Sequence, residues 1–273
     1  MRARRLSPRK MQPTGPVYPV EYPGRPGYPT VYITLASQMH YLMTPLQSHF
    51  DMGFGGVANS FKHAADLVAN PEADSPSMNS HLPASFLYRH AIELFLKSGI
   101  IIFHRKFKLS WGNGTEAEPQ VPVASKWKPM YSIHNLVPLH ARLLTLMQEH
   151  SEFLRTKTRT TWDFPPEFAD WVTEIDATDS SSTFFRYPVT KHVDKDETKS
   201  TMKSEDYRSI IARMSPGAPP QKLFVVLDQD ENVVNSYRMD RTQSLAILAI
   251  LQKTAECMYG CHAAMRGELT DGW

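Results

Sequence analysis

The run at positions 83–104, PASFLYRHAIELFLKSGIIIFH, constrains this chain more than any other segment. With successive side chains about 100° apart on a helix, apolar residues fall on nearly every side. Arg89, His90, Glu93, Lys97 and His104 instead gather within about a third of the circumference. A helix coated in this way belongs inside a bundle, and its polar strip must line a cleft, an interface or an internal ladder of ion pairs. The predicted fold class is therefore mainly α.

With 273 residues, 41% of them hydrophobic, the chain can bury the core of a large domain. Its net charge of +2 gives no field strong enough to name a polyanionic partner, so nucleic-acid binding would have to rest on a local patch. Cys257 and Cys261 lie one turn apart in a helical segment, a poor arrangement for a disulfide, and a reducing cytoplasm is the expected location. Glu93 and Lys97 interrupt one apolar run and residues 245–251 are too few, so no segment reaches the roughly 18–20 residues of a membrane span. No membrane partner is expected, and the N-terminus lacks the apolar core of a secretion signal.

Residues 1–31 read as a disordered basic, proline-rich arm: Arg2, Arg4, Arg5, Arg9 and Lys10 precede the pairs Tyr18-Pro19, Tyr22-Pro23 and Tyr28-Pro29. It is either a tail that touches phosphate or a partner, or a solvated extension with Met11 or Met39 as the true start. Residues 32–273 read as one helical domain. A short helical stretch is expected up to about residue 48, an amphipathic helix over 57–69, and then a polar loop leading to the central helix. After His104 comes a long inserted loop, with a turn at Gly112-Asn113-Gly114 and prolines that oppose helix.

A second helix is expected from Ser132 or His134 to about Leu154, with Leu136, Leu139, Leu143, Leu144 and Met147 on one face, and a third over 165–175. A β excursion is expected around 183–238. It comprises TFFRYPV, an exposed charged loop over 191–204, and a hairpin made from KLFVVLD and VVNSYR. The last helix should run from about Arg241 to Met265, capped by Asp240 or Thr242, with Leu245, Leu248, Leu251, Ala255 and Met258 as its apolar face.

Arg89, Glu93 and Lys97 stand at i, i+4 and i+8, so each can pair with the next. One reading is a salt-bridge ladder. The other is that these charges and His90 line a site for an anionic ligand, since charges on a mostly buried helix are costly and need specific partners. His134 either lies beside a helix cap formed by Ser132 or Asn135, or joins His90 in a cleft. Cys257, Cys261 and His262 lack a second ligand pair and read as packed side chains, and Asp194, Asp196 and Glu197 lack the pattern of a calcium loop. No metal and no cofactor are expected.

YRHAIELFLKSGI, followed after the insertion by SIHNLVPLHARLLTL, resembles the paired central helices of HEPN-domain proteins, small helical bundles of prokaryotic toxin–antitoxin and antiphage-defence systems. TFFRYPV is similar to a segment of uncharacterised bacterial proteins of that kind. The resemblance implies an antiparallel helical bundle, frequent homodimers and, in many members, metal-independent RNA cleavage by an Arg and a His four to six residues apart on a helix near the dimer interface. Here the matching spacing is Arg186 to His192, where Pro188 opposes a helix.

The expected function is a HEPN-like module of bacterial defence or stress biology that binds RNA, a nucleotide or a protein partner through Arg89, His90, Glu93, Lys97, His134 and Arg186. Arg89 and Lys97 would meet phosphate. The alternatives are a metal-independent ribonuclease drawing on His90, His134, Arg186 or His192, and a non-catalytic dimerising scaffold.

Overall fold

The computed structural model describes residues 17–20, 31–34, 43–69, 79–111, 117–213 and 222–272. Strands β1 (Val17–Val20) and β2 (Val31–Thr34) form an antiparallel pair in which Val17 pairs with Thr34 and Val20 with Val31. The expected unstructured arm thus contains a strand. Of the helical stretch expected up to residue 48, residues up to Thr34 belong to β2, residues 35–42 lie outside the described residues, Met43 is helical, and Leu46–Ser48 form a single 3-10 turn after Pro45. β-Branched and aromatic residues dominate both tetrapeptides, and a two-stranded pair consists only of edges, where Pro19 is tolerated. The basic cluster at 2–10, the pairs Tyr22-Pro23 and Tyr28-Pro29, Met11 and Met39 lie outside the described residues.

Helix α1 (Phe54–Val68) leads to α2 (His81–Lys106), the expected central helix lengthened by two residues at each end. Most of the connecting loop, residues 70–78, and the Gly112-Asn113-Gly114 turn lie outside the described residues. The insertion after α2 holds a hairpin that the sequence did not announce, β3 (Gln120–Val123) paired with β4 (Lys126–Pro129). Its two-residue turn is Ala124-Ser125, both at positive φ, 47° and 65°. Such a turn is usually marked by Asn or Gly, and this one carries no such mark.

The second expected helix is divided at His150 into α3 (Leu136–Glu149) and α4 (Ser151–Lys157), and α5 (Phe168–Thr178) follows. Neither Ser132 nor Asn135 caps α3. Asp176 of α5 does so, its Oδ1 accepting the Leu136 N–H at 2.7 Å. TFFRYPV is turn rather than strand, and Phe184 and Phe185 are buried there.

The charged stretch after it is partly ordered as α6 (Val193–Asp196) and β5 (Met202–Ser204), followed by α7 (Tyr207–Arg213). The hairpin of β6 (Leu223–Leu227) and β7 (Val233–Met239) forms as expected, and β5 joins it in the order β5-β7-β6. Helix α8 (Thr242–Leu269) closes the chain, with Asp240 Oδ1 accepting the Thr242 N–H at 3.0 Å.

Helix α2 is the pillar of this mainly helical fold. Helices α1, α3 and α8 all pack on it, and α5 packs on α3 and α8. Tyr88, Ile92, Phe95, Leu96 and Ile100 to Phe103 are buried on its different sides. Each such side chain contributes roughly 1.5–3 kcal/mol by leaving water. Gly99 lets three helices meet closely, for a Cβ there would sit 3.0 Å from Leu143 Cδ1 and 3.3 Å from Met265 Sδ. Leu144 and Leu245, expected on buried faces, are exposed. Among the described residues no helix is long and apolar enough to cross a membrane.

Candidate functional site

The polar strip of α2 is divided by the packing around it. Arg89 is fully buried, and all three of its nitrogens are engaged. Nη1 donates to Glu93 Oε2 at 2.6 Å, Nη2 to the main-chain oxygen of His134, and Nε to the main-chain oxygen of Asp179 at 3.2 Å. Lys97, also buried, donates to Glu93 Oε1 at 2.8 Å. Burial alone would raise the Glu93 pKa, but Lys97 and Arg89 outweigh it and hold the carboxyl below its ordinary range. The expectation that Arg89 meets phosphate is thereby corrected. Its donors are spent inside the protein, Lys97 is likewise buried against Glu93 rather than open to a phosphate, and the ladder reading describes Arg89, Glu93 and Lys97 together.

His134 is the exposed member of this group. Its Nδ1–H donates to Glu93 Oε1 at 3.1 Å, while 54% of its side chain remains open to solvent. A buried carboxylate thus orients an accessible imidazole, leaving Nε2 as the nitrogen that can meet a ligand. His90 is half-buried on the adjoining side, edge-on to Phe61 at 4.6 Å and stacked on Phe86 at 5.9 Å. Burial chiefly lowers its pKa, and Arg89, Lys97 and Arg186 act in the same direction against Glu93.

Arg186 is exposed, with its guanidinium 5.8 Å from the centre of the Phe86 ring. It therefore shares Phe86 with His90. His192 is exposed and immediately precedes α6, with its backbone N–H on Thr190 Oγ1 at 3.2 Å. Residues 186–192 form turn and bend rather than helix, as Pro188 requires, so Arg186 and His192 are not displayed on a shared helical face. His104 leaves the strip altogether and lies against Arg142, 3.4 Å away, and Trp111.

A residue missed in the sequence, Asp179, completes the arrangement. It ends α5, and its Oδ1 accepts the N–H groups of Thr183 and Phe184 at 2.7 and 3.0 Å. Arg89 therefore ties together the three segments on which the HEPN resemblance rests: its own helix, SIHNLVPL through the His134 carbonyl, and TFFRYPV through Asp179.

A second buried cluster also escaped the sequence. Asp51 Oδ2 accepts from Ser98 Oγ at 2.6 Å, the Gly55 N–H at 2.7 Å and His262 Nε2 at 3.2 Å. Burial would raise the Asp51 pKa, but His262, Ser98 and Gly55 together push it far below the carboxylate range. Ser98 and His262 both bond to the carboxylate and not to each other, so the set anchors α1 to α2 and α8 without activating a nucleophile.

Cys257 and Cys261 are buried free thiols, and burial pushes the Cys257 pKa up to about 12. Among the described residues no group of three or more His, Cys, Asp or Glu side chains could hold a metal ion. No protein-family model matches this chain, and neither does any curated protein or solved structure.

Proposed function

We propose that this chain is a HEPN-like antiparallel bundle, acting in bacterial defence or stress biology as a module that binds the phosphates of RNA or a nucleotide. The observation that carries this reading is the half-exposed His134 ring held on buried Glu93, at one end of a brace whose other end positions the exposed Arg186. The resemblance-bearing segments supply both groups. In this reading His134, His90 and Arg186 meet the ligand, whereas Arg89, Glu93 and Lys97 set their positions.

Fluorescence anisotropy with a labelled single-stranded RNA, competed by a nucleotide, tests it. Binding should weaken at least tenfold in both His134→Ala and Arg186→Ala, the loss that about 1.4 kcal/mol produces. An absence of binding at low salt, where phosphate contacts are strongest, would reject the proposal.

One observation favours a second reading. An imidazole oriented by a carboxylate is the usual proton-transfer pair, so His134 with Glu93 suits metal-independent RNA cleavage, with Arg186 beside the scissile phosphate. Cleavage of labelled RNA in the presence of a chelator, abolished by His134→Ala, would establish this over binding alone.

A further inference from the structure

Strand β6 is unusual in being apolar on both faces and exposed along nearly its whole length. Phe224, Val225, Val226 and Leu227 retain 44%, 44%, 48% and 49% of their accessible surface, and no described strand lies beyond β6 in the order β5-β7-β6. Edge strands of this kind attract another strand unless charges or prolines blunt them. The run LFVVL contains neither.

The hydrogen-bond phase says which backbone groups face outward. Met239 donates its N–H to the Lys222 oxygen at 3.2 Å and Asp228 donates to the Asn232 oxygen at 3.0 Å. Residues 222 and 228 are therefore turned toward β7. The register shifts between Val226 and Leu227, but the extra residue, Val234, is on β7, so β6 keeps its alternation and Leu223, Val225 and Leu227 present N–H and C=O to the free edge.

The charges say what fits there. The run is flanked by Lys222 at one end and Asp228 at the other, both exposed, so K-LFVVL-D is antisymmetric about Val225. A second copy laid antiparallel about a two-fold axis at Val225 sets Lys222 opposite Asp228 of the partner subunit, and the reverse contact forms by symmetry. Leu223 then lies opposite Leu227 of the partner subunit. The outward residues form the hydrogen-bonded pairs, and the charges fall in non-hydrogen-bonded pairs, where side chains approach most closely. A parallel arrangement would instead place Lys on Lys and Asp on Asp.

We infer that the chain forms a two-fold homodimer through β6, joining two three-stranded sheets into one of six strands. This surface is distinct from the helical interface implied by the HEPN resemblance, and it does not depend on the ligand proposed above.

Light scattering coupled to size exclusion, run on the full chain over a range of concentrations, should give the dimer mass. Val225→Pro removes an outward N–H without touching the β7 ladder, so it should yield monomers with an unchanged circular dichroism spectrum. Lys222→Glu should raise the dimer dissociation constant about tenfold, because two attractive pairs become repulsive. Val225→Cys should cross-link to itself on oxidation, its Cα separation in a hydrogen-bonded pair being about 5.5 Å, whereas Val234→Cys on β7 should not. A single-chain mass at every concentration overturns the inference. So does a dimer that survives Val225→Pro, or cross-linking that is as efficient at position 234 as at 225.

Discussion

Arg89 on the central helix donates to the main-chain oxygen of Asp179, 3.2 Å away and 90 residues further along the chain. Asp179 in turn holds the N–H groups of Thr183 and Phe184, so a guanidinium inside the bundle fixes the loop that displays Arg186. The charged strip of α2 thus acts on its surroundings mainly by positioning them.

Replacing Arg89 with Met should strongly destabilise the protein. Glu93 would keep Lys97 but lose its bond to Arg89, and the His134 and Asp179 carbonyls would lose their donor. Removing one partner from a buried pair costs about 3–5 kcal/mol. Urea denaturation should show this as a lower midpoint with an unchanged slope. The triple replacement Arg89→Met/Glu93→Leu/Lys97→Met should recover a large part of the loss, since no buried charge is then left short of partners. A triple variant as unstable as the single one would contradict this account.

The strip itself could be read from the sequence because helical periodicity places Arg89, Glu93 and Lys97 on one side whatever surrounds them. Their partners could not, because the His134 and Asp179 carbonyls belong to other segments and main-chain groups leave no trace in residue identity. TFFRYPV misled because aromatic and β-branched residues suit a strand and a buried turn equally well, and here Phe184 and Phe185 fill the core. The Asp51 cluster was hidden for the same reason as Arg89's partners: Asp51 and His262 are 211 residues apart.

Lys97 separates the positioning role from ligand contact. Lys97→Met leaves Glu93 bonded to Arg89 and to His134, so the loss of stability should be smaller than for Arg89→Met, about 1–3 kcal/mol. Thermal melting should register it. RNA affinity should change less than in His134→Ala; a larger change would make Lys97 a direct ligand contact.

Gly55 is the tightest point between α1 and α8. A Cβ there would lie 1.9 Å from His262 Nε2 and 2.6 Å from Asp51 Oδ2, and neither group can move without breaking the buried cluster. Gly55→Ala should therefore destabilise by about 2–4 kcal/mol even though alanine is the better helix former. Denaturation midpoints of Gly55→Ala and of a partly exposed control, Gly56→Ala, separate the two effects. The control should be neutral or slightly stabilised, and equal losses at both positions would remove the close approach as the cause.

His140 gives the fold a definite response to acid. The ring lies among Phe164 and Phe168, its Nε2 has no hydrogen-bond partner, and burial lowers its pKa from 6.5 to about 4. As pH falls, the unfolded chain takes up the proton first, so stability is lost between about pH 6.5 and 4, on the order of 3 kcal/mol from this group. Burial lowers the pKa of His81, His90, His104 and His262 as well, and each steepens the same slope. Glu93 adds to it further down, because a lowered carboxyl pKa gives stability above the ordinary carboxylate range that is lost as pH falls through its folded value. Urea midpoints measured from pH 7 to 4.5 should fall more steeply for the native chain than for His140→Leu, which carries no proton there and leaves no orphan nitrogen. Parallel curves would mean that His140 titrates in the folded protein as freely as it does in the unfolded chain.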